Sequence, residues 1–435
     1  MLFHDPLFLL VFLPFVFFFY FFILKNKKSS RIYLLIIASF IFYAAWNIKL
    51  SPLIVITTLV NYFFGKKITN ASQILKKKQF LYVSILFNIL FLAFFKYSDF
   101  IIVNINNVLN SNIELLNLPF PLALSFVTFQ TIAYLIDCYD GNIVKNNIKK
   151  YSLFIFFFPQ LIAGPIVRYN QMISQFEDEK NVSINYKNIY IGLIVITIGL
   201  IKKLLIADNL FVIVDQGFNL SQQLSFLESW LTSVGFTFQI YFDFSGYIDM
   251  ATGIALLFNI NLPINFNSPF KASGMINFWQ RWHITLSTFL TNYIYYPLSR
   301  SFKKLTFIKS MIVTMIVFLI AGLWHGPSWL FVTFGAAHGL GLIVNHLFRK
   351  LYSFKLNKIF SRFLTFNYVN FTLVFFRADN FESALNVIKG MLALNNTNGL
   401  VNIFTPINSI IAFVAAFLIC FLFKNTYYIV EQLKK

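Results

Sequence analysis

Residues 311–329 read MIVTMIVFLIAGLWHGPSW, and how this stretch is read decides the fold. Ten apolar or weakly polar residues, 311–320, run straight into His325. With the residues before them they complete a candidate span at 307–325, close to the roughly 20 mostly apolar residues that a transmembrane helix needs. Gly326 and Pro327 then break the helix, because proline has no N–H to donate and biases its predecessor away from helical geometry. The stretch therefore predicts a helix that ends inside the protein, where released backbone groups usually line a cavity. His325 is delivered at that end. An imidazole titrates near neutrality, so it can take a proton from a hydroxyl and return it to a leaving group; the plainer alternative is a histidine that caps the helix.

Outward from this stretch, further apolar runs of helix length fall at 6–25, 31–47, 52–65, 80–96, 119–138, 186–207, 227–258, 284–299, 328–348, 358–376 and 403–424. The whole chain agrees: 435 residues, 58% hydrophobic, 20% aromatic and 12% charged, about half the charged share of a soluble domain. The expectation is an all-α integral membrane protein with roughly ten to twelve transmembrane or re-entrant helices in a single polytopic domain, 1–435. Residues 1–100 form an apolar frame, 120–340 carry polar groups within apolar runs, and 385–435 supply a further helical segment. Residues 151–166, broken by Pro159, Gly164 and Pro165, suit a re-entrant segment buried in protein. The first span reads as a retained anchor, since basic residues follow it rather than precede it.

The net charge of +19 is placed between spans, at 25–31, 66–78 and 145–150, while the alternate loops near 47–51 and 98–118 are nearly free of Lys and Arg. That alternation follows the positive-inside rule and puts the N-terminus outside the cytoplasm. Basic loops against anionic lipid account for the charge, so the bilayer is a partner and nucleic acid is not. Cys138 and Cys420 stand far apart in apolar spans, and no histidine or carboxylate spacing suggests a metal site.

Ionisable groups inside apolar runs are functional candidates because charge in hydrocarbon is costly. His283 lies in 277–287, NFWQRWHITLS, beside Gln280, Arg281 and Trp282. Arg281 reads equally as an interface anchor with Trp279 and Trp282 as belt aromatics, or as a fork for an anionic part of a substrate. His338 reads better as a packed helix-interface histidine. On 239–249, QIYFDFSGYID, a helix would stack Gln239, Asp243 and Tyr247 on one face. A carboxylate there could orient an imidazole, or could belong to a buried polar network that glues helices. Arg168 ends a Gly/Pro-rich segment that could wall a cavity. No phosphate loop, dinucleotide glycine fingerprint or nucleophile-elbow serine occurs, which removes ATP-driven transport and serine-hydrolase chemistry as leading readings.

Five ordered stretches, 124–141 (LSFVTFQTIAYLIDCYDG), 158–168 (FPQLIAGPIVR), 241–250 (YFDFSGYIDM), 278–287 (FWQRWHITLS) and 322–326 (GLWHG), together with 375–379 (FFRAD), resemble the membrane-bound O-acyltransferase family in its bacterial, alginate-acetylation branch. The resemblance implies helices around a central tunnel, with His325 as the essential histidine and His283 as a second polar tunnel residue. Trp324, Gln280, Arg281, Trp282, Asp243, Tyr247 and Arg168 become supporting candidates. It further implies an acetyltransferase of cell-surface polysaccharide in the bacterial inner membrane, with no bound cofactor. An acyl thioester such as acetyl-CoA would be the donor, and an extracytoplasmic acyltransferase would pass the group to the glycan. D-alanyl transfer to teichoic acid is the rival within the family. A polysaccharide or lipid exporter is the rival outside it, though no internal repeat supports one.

Overall fold

The structure is a computed structural model that describes residues 1–219, 223–352, 356–395 and 406–435. The described residues form helices and connecting turns, with no strand among them. The helices used below are α1 (Phe8–Ile23), α2 (Lys28–Ala44), α3 (Ser51–Asn70), α4 (Ile74–Leu109), α5 (Leu124–Tyr139), α6 (Ile148–Phe156), α7 (Tyr186–Asn219), α8 (Phe226–Leu257), α9 (Ile284–Leu290), α10 (Phe307–His325), α11 (Trp329–Leu351), α12 (Lys358–Arg377), α13 (Ile407–Phe421) and α14 (Thr426–Lys434). The first residues of the span expected at 403–424 lie outside the described residues.

Among the described residues, α4, α7, α10, α11 and α12 are long and apolar enough to cross a membrane. The pair α13 and α14, bent by 57°, makes a sixth if taken as one broken span. This does not confirm the expected ten to twelve. Helix α2 has only 17 residues and α5 only 16, while α8 is long but carries Glu228, Asp243 and Asp249.

Contacts divide the chain into two compact units. The first comprises Met1–Ile196 and Met250–Pro263. Its helices α3 and α4 are tied by a reciprocal amide pair, Asn61 with Asn88, at 3.1 and 2.6 Å. A polar loop was expected from residue 98, but α4 continues to Leu109 and stops where Asn110 turns left-handed (φ 49°). The Asp99 carboxylate on this extension accepts the backbone N–H groups of Leu116 and Asn117, so it serves the returning chain. Beyond α6 the helix breaks at Phe157, and residues 153–158 are almost wholly enclosed. The Gln160 side chain donates to the Phe154 carbonyl and satisfies part of the broken backbone.

The second unit comprises Thr197–Asp249 and Ile264–Lys435. Glycines decide its closest helix contact. A methyl group on Gly322 of α10 would stand 2.3 Å from the Phe331 carbonyl oxygen, and one on Gly335 of α11 would stand 2.3 Å from that of Phe318. Only hydrogens fit, so the antiparallel pair α10/α11 packs backbone on backbone, the contact that small residues permit between membrane helices. Helices α7 and α8 use the same device twice. In the second unit Gly246 meets the Gly199 carbonyl, and in the first unit Gly192 meets Gly253.

Candidate functional site

His325 is the last residue of α10. Gly326 leaves the helix in an extended conformation, and the Ser328 hydroxyl accepts the Leu330 N–H to start α11. The imidazole is held half-buried among rings, with Trp324 at 4.9 Å, Phe376 at 5.1 Å and Phe334 at 5.9 Å between centroids. The α10/α11 glycine contact at Gly322 and Gly335 lies one turn behind it and sets its position.

His283 also neighbours Trp324, at 6.3 Å, and is 2% exposed. It precedes α9 in a left-handed conformation (φ 43°), which costs a non-glycine residue about 1–3 kcal/mol unless the surroundings hold it. Asn265 holds it. The Asn265 backbone oxygen accepts the Ile284 N–H at 3.0 Å. Its side-chain oxygen takes the Thr285 N–H at 3.1 Å and the Thr285 hydroxyl at 2.9 Å, and lies 3.1 Å from His283 Nδ1. The Thr285 N–H can only donate, so the asparagine atom is the carbonyl oxygen and His283 Nδ1 must carry a proton. The neutral ring therefore presents its lone pair at Nε2, which is buried and has no partner among the described residues. Phe244 closes one side at 4.9 Å.

His338 completes a trio. Its Nε2 lies 2.9 Å from the Thr372 hydroxyl, whose own proton goes to the Val369 carbonyl at 2.8 Å, so Nε2 is the donor and Nδ1 keeps the lone pair. The ring is packed against Phe334 at 4.4 Å and Trp279 at 5.2 Å. His325 and His338 share Phe334 as a ring neighbour, at 5.9 and 4.4 Å.

A cavity of about 610 Å³ opens beside this cluster, between α9, α10 and α11. Its lining is mostly apolar, including Trp279, Ile284 and Phe318, and Gln280, Ser287, Thr288, Thr291, Thr314 and His346 add polar groups. Trp279 Nε1 and Ser287 Oγ on that lining are buried without a partner among the described residues. Trp279 separates the cavity from His338 and packs on Phe318 at 4.8 Å.

The other residues singled out from sequence fall in different places. Trp324 is buried and contacts both His283 and His325. Trp282 is not a belt aromatic: it is buried, stacked on Phe278 at 5.7 Å and edge-on to Phe266 at 5.1 Å. Trp279 is likewise interior. Arg281 donates to Asn277 and to the Asn267 carbonyl, which braces the turn ahead of His283. Gln280 reaches the cavity. Asp243 does not orient an imidazole; it is exposed and pairs with Lys203 at 2.7 Å. Asp249 pairs with the buried Lys202 at 2.6 Å and with Thr426 at 2.7 Å. Tyr247 packs half-buried against the core of the second unit. Arg168 belongs to the first unit, exposed ahead of the helix Tyr169–Glu177. Sequence reasoning missed Asn265 as the partner of His283, since nothing in 263–268 marks it, and missed Thr372 as the partner of His338.

The chain is similar to known membrane acyltransferases. The profile of the membrane-bound O-acyltransferase family matches residues 139–378, which include all three histidines. The chain is 44% identical to a peptidoglycan O-acetyltransferase of Helicobacter pylori, covering 92% of this chain and 81% of that protein. It is 33% identical to a probable alginate O-acetylase AlgI of Azotobacter vinelandii, covering 91% and 79%. A teichoic acid D-alanyltransferase of Bacillus subtilis is 28% identical over 60% of this chain and 69% of its own length.

Proposed function

The chain belongs to the membrane-bound O-acyltransferase family, and from that premise we propose that it moves an acetyl group from a cytoplasmic thioester donor such as acetyl-CoA, with His325 as general base. It is a multi-pass membrane protein and an O-acyltransferase of the acetylating kind. In the proposed reaction His325 takes the proton of an acceptor hydroxyl while the oxygen attacks the thioester carbonyl. The tetrahedral intermediate collapses, the carbon–sulfur bond breaks, and the thiolate leaves with the proton held by the imidazole. The products are an ester and a free thiol. His283 Nε2 accepts a hydrogen bond and so positions a hydroxyl, and Trp324 contacts both rings.

The observation that carries this reading is the placement of His325: half-buried at a broken helix end, sharing Trp324 with His283 and Phe334 with His338 as ring neighbours. The adjoining uncharged cavity supplies the donor path. Its outer residues, Phe307 and His346, sit at the α10 start and α11 end, where Lys303, Lys304, Lys309, Arg349 and Lys350 cluster. By the positive-inside rule that end is cytoplasmic, the chain sits in the bacterial inner membrane and the N-terminus lies outside. Identity to the peptidoglycan enzyme exceeds that to the alginate proteins, so peptidoglycan is the proposed final acceptor, reached through an extracytoplasmic acyltransferase partner.

The test is base-labile acetate released from purified cell-envelope glycans, for wild-type protein and His325→Ala at equal membrane abundance. Loss of acetate in the variant supports the proposal. Unchanged acetate refutes it, and loss of ester-linked D-alanine instead would assign the rival chemistry.

A further inference from the structure

A second cavity, about 210 Å³, lies in the second unit where α13 bends into α14. Its walls are apolar: Ile198, Ile201 and Ile206 of α7, Phe242 of α8, and Ile419 and Cys420 of α13. Ser268, Lys424, Asn425 and Thr426 line the remainder. The Lys202 ammonium on the wall is already neutralised, bound to Asp249 at 2.6 Å and to Thr426 at 2.9 Å.

The cations around the cavity are different. Lys424 Nζ rests on Tyr428, 2.7 Å from its hydroxyl and 3.9 Å from the ring centre. Lys271 Nζ donates to the carbonyl of Phe423, itself a lining residue, at 2.6 Å. Both are satisfied by neutral oxygen, and neither has a carboxylate. Burial first, then the charge of Arg362, pushes the Lys271 ammonium below the usual lysine range. Arg362 also has a buried Nε without a partner. Glu431, on α14, is engaged by the Tyr427 hydroxyl. Lys424 on the lining, and Lys271 bound to the lining residue Phe423, therefore flank an apolar hole with no ion pair to an acid among the described residues.

We propose that this cavity takes one acyl chain of an anionic phospholipid, with the lipid phosphate held by Lys271 and Lys424. Charge complementarity selects a phosphate that carries a net negative charge, and the apolar wall selects a ligand with a hydrocarbon tail over a soluble anion. The site shares no lining residue with the cavity beside His338, so the proposal stands independently of the acyl-transfer reading.

The test uses the full chain, purified and delipidated in neutral detergent, with the apparent unfolding midpoint followed on adding phosphatidylglycerol, phosphatidylcholine or glycerol 1-phosphate. Phosphatidylglycerol is expected to raise the midpoint by several degrees more than either of the others. The double variant Lys271→Gln/Lys424→Gln should respond to phosphatidylglycerol and phosphatidylcholine alike, and Cys420→Phe, which fills the cavity, should bind less phosphatidylglycerol by native mass spectrometry. Equal effects of the two lipids on wild-type protein would overturn the proposal. So would an equal effect of glycerol 1-phosphate, which would mark a soluble-anion site, or an undiminished phosphatidylglycerol preference in the lysine variant. The lysine variant keeps the proposal testable if the cavity-filling one does not fold.

Discussion

Asn265 is the position where a small change should have the largest worked consequence. Its side-chain oxygen accepts from the Thr285 N–H and hydroxyl and faces the Nδ1–H of His283, all in a buried setting. Asn265→Ala removes that oxygen and orphans up to three donors at once. A buried donor left unsatisfied costs about 1–3 kcal/mol, so even the low end for three gives a loss of about 3 kcal/mol. Detergent-solubilised protein should then unfold roughly 6 °C lower. Acetate transfer should fall further than the remaining folded fraction explains, because the His283 tautomer is no longer held. Thr285→Val removes one of the three donors, so it should cost less by itself and the two changes should be less than additive in the double variant. The measurements are unfolding midpoints and envelope acetate for the four proteins of this cycle. An Asn265→Ala protein with wild-type midpoint and acetate would refute the account of Asn265 as the residue that holds His283.

Three further outcomes follow from the geometry. Gly322→Ala should lower protein abundance and acetate transfer together, since the new methyl meets a carbonyl oxygen at 2.3 Å and forces α10 from α11; quantitative immunoblotting of membranes checks the first. Asp243→Asn should leave acetate within about twofold of wild type, because an exposed ion pair such as Asp243–Lys203 is worth about 0–1 kcal/mol; a complete loss would show that the carboxylate has a role its position does not explain. Thr314→Trp should fill the cavity beside Trp279 and abolish acetate transfer while the protein still accumulates in the membrane; normal transfer would remove this cavity from the donor path.

The membrane class, the helical fold, the family and the identity of His325 as a candidate were legible in the sequence. Each depends on a local signal: an apolar run of helix length, a Gly-Pro break directly after a histidine, or an ordered set of motifs. Local signals also misled. Trp279 and Trp282 looked like interface aromatics because they flank an arginine, yet both are interior. Asp243 looked like an orienting carboxylate because it lies in an apolar run, yet its partner is Lys203, which lies far earlier in the chain. Of the ten to twelve expected helices, five among the described residues, or six with the bent pair, are long and apolar enough to cross a membrane.

Composition and periodicity by themselves determined that this chain must fold in a bilayer as helices, because apolar runs of that length have no other way to satisfy their backbone. They also determined where one helix must end, since the break at 326–327 is a covalent property of glycine and proline. Only the tertiary structure decided which face His325 shares with which neighbours. The partners that define the site, Asn265 for His283 and Thr372 for His338, come from chain positions 18 and 34 residues away. Hydrogen bonds between such distant groups exist only once helices such as α10 and α11 have packed at glycine contact, and no local sequence pattern encodes that pairing.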